Sequence, residues 1–150
     1  MLFMKKSLLI FLMIVIAGCA RNIDKNPNEI LIYNGNNSVR INAEIADDNN
    51  EIKKGLMFRK NLGEKEGMLF MFTNEEHQTF WMKNTLIPLD IIFIDKSLKI
   101  IDIKNAAPCK EEPCPLHKSS GPAMYALEVN GNFSVKNSIK IGDKVKIING

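Results

Sequence analysis

The sequence lacks the short motifs by which many enzymes are recognised. It contains no H-E-x-x-H metal-binding pair, no glycine-rich phosphate loop and no Ser/His/Asp arrangement, and it has no internal repeat. Histidine occurs only twice and tryptophan only once. The formal net charge is +3 without a Lys/Arg cluster, so nucleic acid is not an expected partner. These absences indicate no cofactor, and they give no sign of the enzyme classes that such motifs identify.

A single long apolar run occupies the N-terminus. Lys5 and Lys6 precede ten apolar residues, 8–17, which are followed by Gly18 and Cys19. Such a run spans about 15 Å as a helix, half of a bilayer core, and is too short for a transmembrane anchor. The segment resembles a bacterial lipoprotein signal peptide. The resemblance implies cleavage before Cys19 and a diacylglycerol on its sulfur. An ordinary secretory peptide with a chance cysteine is the alternative.

The expected domain boundaries and the expected cellular location follow from this segment. We expect residues 1–18 to be removed, residues 19–29 to form a polar tether and residues 30–150 to form one domain. Ala20-Arg21 after the cysteine, without an aspartate, favours the periplasmic face of the outer membrane in a bacterium with two membranes. Otherwise we expect the outer face of the cell membrane. The expected partner is the membrane, through the lipid, and the sequence indicates no oligomeric state.

Short strands dominate the domain. Apolar runs and apolar–polar alternation predict strands over 30–33, 39–45, 68–72, 79–83, 88–94, 98–103 and 123–129, with a C-terminal hairpin over 139–147. Two short helices are expected, one capped by Asp47 or Asp48 and ending before Gly63, the other running from Asn130 to about Ser138. This pattern favours a strand-dominated α+β fold, with a compact antiparallel barrel-like sheet and two short helices.

Two cysteines remain for the folded domain, Cys109 and Cys114, in a loop over about 105–122. An exported chain meets an oxidising compartment, which favours a disulfide between them. A metal site is the alternative, because C-x4-C-x2-H spacing adds His117 to the two cysteines, and His77 could complete the set. A redox pair would lack the usual Cys-x-x-Cys geometry.

The densest polar stretch, residues 80–90, joins two predicted strands. Asp90 opens a strand that is apolar on both faces, so its carboxylate is expected to be desolvated and to need a partner. Lys83, Asn84-Thr85 or Arg59 could supply that partner. One interpretation is a structural ion pair, and the other is a polar pocket at a barrel mouth. The candidate ligand-binding residues are Arg59, Trp81, Lys83, Asn84, Thr85, Asp90 and Glu128.

The pocket interpretation assigns roles to these side chains. Lys83 and Arg59 would face a negative group of the ligand, while Trp81 would stack on it. Asn84-Thr85 would donate hydrogen bonds. Glu128 shares a strand face with apolar neighbours and is expected to be semi-buried.

Several motifs of the chain resemble the DUF192 (UPF0127) family. They are Gly55-Leu56-Met57-x-Arg59, Gly67-Met68-Leu69-Phe70-x-Phe72, Phe80-Trp81-Met82-Lys83-Asn84-Thr85-x-x-Pro88-Leu89-Asp90-Ile91, the two Pro-Cys pairs of the cysteine loop, Gly121-Pro122-Ala123, Leu127-Glu128-Val129 and Gly142-Asp143. The resemblance covers residues 39–148 and implies a compact α+β fold in exported or membrane-associated proteins, without an established activity. Two positions depart from the pattern: His117 stands in place of an aromatic, and Asn130-Gly131-Asn132 replaces Asn-Ala-Gly.

Two functional hypotheses remain. The first is a lipid-anchored cell-envelope module that binds a small ligand or an envelope component through the polar pocket, without catalysis. The alternative is an envelope hydrolase in which Asp90 and Glu128 form the carboxylate pair of glycoside cleavage.

Overall fold

The computed structural model describes residues 28–148, and strands dominate it. In chain order the elements are β1 (Asn28–Asn34), β2 (Asn37–Ala46), α1 (Asn49–Lys54), β3 (Glu66–Glu76), β4 (Thr79–Trp81), β5 (Leu89–Ile94), β6 (Ile100–Ala106), β7 (Leu116–Lys118), β8 (Ala123–Asn130), α2 (Phe133–Lys136) and β9 (Lys144–Ile148). The expected signal peptide, Cys19 and most of the expected tether lie outside the described residues.

Seven strands form one sheet in the order β6-β5-β8-β3-β2-β1-β9, while β4 and β7 pair separately. The two edges of the large sheet approach each other at one end. There an antiparallel bridge joins Lys99 and Lys144, and the Val145 N–H donates to the Leu98 carbonyl at 2.8 Å. The sheet is therefore a curled half-barrel. The strand-dominated fold with two short helices is confirmed.

One pair of strands corrects the expectation of an antiparallel sheet. β2 and β3 run parallel, whereas the other ladders of the large sheet are antiparallel. Parallel neighbours need a crossover connection, which residues 47–65 provide together with α1. The crossover buries Leu56 against one face of the sheet.

Buried apolar side chains cover both faces of the large sheet. One cluster contains Leu69 and Ile92 and includes Phe133 of α2. The cluster on the other face contains Phe70 and Ile91, together with residues of the crossover and of the segment after β4. Every residue of β5 is buried, which confirms that the strand carrying Asp90 is apolar on both faces.

The helices are shorter than predicted. The Asp48 side chain caps α1 as expected, accepting from Asn50 N at 2.7 Å and Glu51 N at 2.9 Å. The helix ends at Lys54, well before Gly63, because Gly55 adopts φ 46° and closes it. A positive φ at the residue that ends a helix favours glycine. Asn130 does not begin α2: its side-chain amide donates to the carbonyls of residues 62 and 63.

Other boundaries also differ from the prediction. β1 begins at Asn28, two residues early, and β7 forms inside the predicted cysteine loop. The prediction of a C-terminal hairpin over residues 139–147 is wrong, because only its second strand, β9, forms. Ile139 N donates instead to the Ser134 carbonyl at 2.9 Å, which keeps this segment against α2. Within residues 28–148, no helix has the length and apolar character needed to cross a membrane.

Candidate functional site

Glu128 stands in the middle of the large sheet, on β8. In register, it pairs with Met68 of β3 on one side and Ile91 of β5 on the other. The row continues to Glu44 on β2, which pairs with Met68. Paired residues share a face of the sheet, so the Glu128 carboxyl emerges among buried apolar side chains on the face covered by the crossover.

The Glu128 carboxyl lines a small cavity of about 30 Å³. Its walls are contributed by the crossover, β3 and the region of β4, with Ile52, Leu56, Phe70, Phe80, Trp81 and Thr85 among them. Glu128 is 5% exposed, and no described residue forms a hydrogen bond or ion pair with its side chain. Desolvation by burial raises the pKa of Glu128 to about 8. The group is therefore an uncharged acid at neutral pH.

Gly55 brings the crossover close to this carboxyl. A Cβ at position 55 would lie 3.1 Å from Phe70 Cζ and 3.7 Å from Glu128 Oε2, so the position leaves little room for a side chain. Three residues on, Phe58 N donates to the Asn84 carbonyl at 2.8 Å. Both Phe58 and Asn84 have positive φ, 63° and 56°. This conformation is costly outside glycine and recurs at functional sites.

A larger cleft of about 490 Å³ adjoins the small cavity, and the two share Lys54, Gly55 and Met57. The other residues lining the cleft are Glu44, Ile45, Glu51, Phe58, Arg59 and Met68. At its rim, Arg59 Nη2 lies 2.5 Å from Glu44 Oε2, and both side chains are well exposed. Arg59 therefore belongs to the cleft, and its ionic partner is Glu44 rather than Asp90.

Lys83 and Asn84 line a third cavity of about 110 Å³, formed with the cysteine loop. Lys83 Nζ lies 2.6 Å from Glu112 Oε1 and 5.5 Å from the centre of the Trp81 ring. The Lys83 ammonium holds the pKa of the exposed Glu112 carboxyl below its usual value. The expectation that Lys83 pairs with Asp90 is wrong.

Asp90 is buried as expected, but its partners are different. Its carboxylate accepts hydrogen bonds from Asn105 Nδ2 at 2.8 Å, Asn132 N at 3.0 Å and Ser134 N at 2.8 Å. The last two are backbone donors at the start of α2, whose own Asn132 makes no side-chain cap. Neither the Asn84-Thr85 turn nor Arg59 is a partner. Asp90 thus serves as the missing helix cap.

The register separates Asp90 from Glu128. Asp90 pairs with Val129, while Glu128 pairs with Ile91. Successive side chains of a strand point to opposite faces, so the two carboxyl groups lie on opposite sides of the sheet. The carboxylate pair of the hydrolase hypothesis is not formed, because that reaction needs both groups to flank one bond.

The disulfide between Cys109 and Cys114 is confirmed, with an S–S distance of 2.10 Å and a Cα–Cα distance of 5.5 Å. Both sulfurs are consumed, and residues 28–148 contain no group of three or more side chains suited to hold a metal ion. His117 lies on β7 opposite Phe80, and burial, with a contribution from Lys104, lowers its pKa. The His77 ring lies 3.0 Å from the Ser119 carbonyl through Nδ1.

Four of the predicted ligand-binding residues line the Glu128 cavity or the adjoining cleft. Trp81, Thr85 and Glu128 line one cavity, and Arg59 lines the adjoining cleft. The prediction missed the acidic and basic residues of the cleft on β2 and α1, of which Glu44 and Lys54 are examples. The Gly55-Leu56-Met57 motif was the available signal, because a glycine after a short helix allows close approach to another element.

Comparisons with known proteins place the chain among domains of this fold. A sequence model of the DUF192 family, described as "Uncharacterized ACR", matches residues 31–147. A crystal structure of a protein of unknown function from Novosphingobium aromaticivorans is similar, with 37% identity, a TM-score of 0.74 and coverage of 79% of this chain and 83% of that chain. A crystal structure from Sinorhizobium meliloti, titled "a putative transcription regulator", has 30% identity, a TM-score of 0.75 and coverage of 80% and 92%. No curated protein matches the chain.

Proposed function

The chain belongs to the DUF192 family, whose description names no activity, and we propose from the geometry of its own residues that it is a non-catalytic module that binds a small ligand. The proposed site consists of the Glu128 cavity and the adjoining cleft. The ligand would enter through the cleft and place one polar group against the Glu128 carboxyl.

The observation that carries this proposal is a carboxyl without a protein partner within residues 28–148, in a residue only 5% exposed, whose oxygens face a cavity and are not among the fully buried unpaired atoms. Burying a polar group without a hydrogen bond costs free energy, and buried polar groups in folded proteins are almost always satisfied. Glu128 is buried, its pKa is raised to about 8, and no described residue donates to it or accepts from it. A titratable group perturbed in this way inside a cavity is a good candidate for a binding site.

Binding is favoured over catalysis by the composition of the small cavity. Two acidic groups, a histidine or a thiol beside a carboxyl are common in hydrolytic sites, and the lysines that line this cavity, Lys53 and Lys54, form no ion pair with Glu128. Among the residues that line this cavity, Glu128 is the sole carboxyl, and there is no histidine or thiol. Thr85 carries the hydroxyl of the lining, and its Oγ1 lies 3.4 Å from the Lys83 carbonyl.

We also propose that this module is displayed on the cell envelope by a lipid on Cys19. The support is the N-terminal sequence, in which the apolar run ends at Gly18-Cys19. The eight residues 20–27 between Cys19 and β1 could extend at most about 30 Å. The binding site would then stay close to the membrane and meet ligands of the envelope.

Recovery of bound compounds tests the binding proposal. The full chain, Glu128→Gln and the matched control Glu75→Gln would be purified in parallel from the same host and denatured, and released compounds identified by mass spectrometry. Glu75 pairs with Lys96 and lines none of the three cavities. We expect a compound enriched in the unmodified protein and in Glu75→Gln but lost from Glu128→Gln. The same set of compounds from all three proteins, or none, would contradict the proposal.

A further inference from the structure

We infer that the Glu128 cavity receives a primary ammonium group of the ligand, with the remainder of a small molecule lying in the adjoining cleft. This inference rests on the proposed binding function and adds to it the chemistry of the ligand. Three features of the cavity lead to it: its size, its aromatic walls and, among the described residues, the lack of an ion pair to the carboxyl.

The size of the cavity limits what can enter. About 15 Å³ of this kind of volume holds one water molecule, so a cavity of about 30 Å³ accepts two small heavy atoms. An ammonium with its adjacent methylene fits, whereas a guanidinium, a carboxylate or a phosphate is too large. The bulk of the ligand therefore has to remain outside the cavity, in the cleft that shares Lys54, Gly55 and Met57 with it.

The walls suit a positive charge. Phe70, Phe80 and Trp81 line the cavity with Glu128. The Phe70 and Phe80 rings meet edge to face at 5.0 Å, which fixes their orientation. Aromatic faces attract ammonium groups, and this attraction strengthens when water is excluded. Trp81 already has one ammonium, Lys83 Nζ, at 5.5 Å from its ring centre.

Within residues 28–148, no cationic side chain forms an ion pair with the Glu128 carboxyl. Lys53 and Lys54 of α1 line the cavity, yet neither amine lies within 4.0 Å of the Glu128 oxygens. Toward the cleft, the charged residues are Glu44, Glu51, Lys54 and Arg59, and Glu44 is paired with Arg59. β3 and β4 contribute aromatic residues to the lining, and the β5 neighbour of Glu128 is Ile91. An entering ammonium would thus supply the missing partner.

Binding of the ammonium group is coupled to loss of the Glu128 proton. The free carboxyl carries a proton below about pH 8, and that proton passes to solvent when the ammonium binds, leaving a carboxylate–ammonium pair. Affinity for an ammonium must therefore depend on the ionised fraction of Glu128. With a pKa of about 8, that fraction increases about ninefold from pH 6 to 7 and less than twofold from pH 8 to 9.

Trp81 is the single tryptophan of the chain and lines the cavity, so its fluorescence and its indole N–H signal report on occupancy. The full chain would be titrated with n-butylammonium and, as the uncharged match, with n-butanol at pH 6, 7, 8 and 9. An alkylammonium keeps its charge over this range, as lysine does with a pKa of about 10.4. We expect a saturable change with n-butylammonium, with the dissociation constant falling about ninefold from pH 6 to 7 and levelling off above pH 8.

The variants add the matched control. Glu75→Gln should behave as the unmodified protein, whereas Glu128→Gln should lose both the affinity and its pH dependence. If Glu128→Gln does not fold, the pH profile of the unmodified protein still decides the question.

Other outcomes overturn the inference. Equal binding of n-butanol and n-butylammonium without pH dependence would overturn the inference that the cavity receives an ammonium group. The binding proposal would still stand if the mass-spectrometry experiment recovered a compound only from proteins with Glu128 intact. A Trp81 signal that neither probe changes would also overturn it.

Discussion

Glu128 occupies a position where its ionised form is unfavourable at neutral pH. The acid is buried on the crossover side of the sheet, and desolvation raises its pKa from 4.5 to about 8. Such a group weakens the fold when it ionises unless another charge compensates it. A carboxyl that costs stability and lines a cavity together with aromatic rings is more consistent with a site than with a structural role.

The titration of Glu128 predicts how stability varies with pH. Between about pH 5 and 8, the unfolded chain has lost the Glu128 proton while the folded domain retains it, so the free energy of unfolding falls as pH rises. The expected loss is on the order of 1 kcal/mol per pH unit. Urea unfolding of the unmodified protein and of Glu128→Gln at pH 5, 6, 7 and 8 measures it. The difference between the two should shift in favour of Glu128→Gln as pH rises, and parallel curves would contradict the raised pKa.

The second helix is an element that depends on a residue from another strand. α2 has four residues and no side-chain cap of its own, and helices this short are not stable alone. The Asp90 carboxylate accepts from the backbone of Asn132 and Ser134. This ties α2 to the start of β5, and Asn105 of β6 completes the carboxylate's set of donors.

Loss of the Asp90 carboxylate should therefore be strongly destabilising. Asp90→Ala leaves three donors without an acceptor and should reduce the free energy of unfolding by about 3 kcal/mol or more. Lys83→Ala should cost at most about 1 kcal/mol, because the Lys83–Glu112 pair is exposed. In double-mutant cycles measured by denaturant unfolding, Asp90 and Asn105 should couple, while Asp90 and Lys83 should be additive. The reverse pattern of coupling would show that the cap has been misassigned.

The cysteine loop is an element constrained by its disulfide. The bond joins residues only five positions apart, so its chain-entropy contribution is small, about 2 kcal/mol. Replacing both cysteines with serine should lower the free energy of unfolding by about that amount and leave the seven-stranded sheet intact. Thermal unfolding with and without reductant measures this, and the double variant should be insensitive to the reductant. A sheet lost together with the disulfide would show a larger role for the loop.

At the scale of the whole molecule, the proposed site lies on the face of the half-barrel that the crossover covers. The parallel pair β2–β3 requires that crossover, and the crossover supplies Gly55, Lys54 and Arg59 to the cavities. The position of the proposed site is thus a consequence of the one connection that departs from a simple antiparallel arrangement.

The N-terminal sequence predicts the cellular location of the whole molecule. Cys19→Ser should block lipid attachment and leave the precursor uncut by the lipoprotein peptidase, because the thiol is the acceptor that the lipobox pattern requires. Labelled palmitate in growing cells measures this, with Cys109→Ser as a control that keeps the acceptor. Equal incorporation of label into the Cys19→Ser and unmodified proteins would contradict a lipid anchor.

Local patterns in the sequence determined much of this molecule. Alternation and apolar runs located most strands, Asp48 was recognisable as a helix cap, and two cysteines in one loop predicted the disulfide. The burial of Asp90 and Glu128 was also readable, because their neighbours along each strand are apolar. These features depend on residues within a few positions of one another, and the sequence alone carries that information.

Tertiary structure decided which groups meet. The Asp90 carboxylate accepts hydrogen bonds from the backbone of α2 rather than from Lys83, Arg59 or the Asn84-Thr85 turn. It lies on the opposite face from Glu128 because the β5–β8 register offsets the two by one residue. The cavity beside Glu128 exists because a crossover returns Gly55 over the sheet. Register and crossover are long-range pairings, and a shift of one residue exchanges the faces of a strand. Local preferences do not determine such pairings, so the site became visible only in the folded chain.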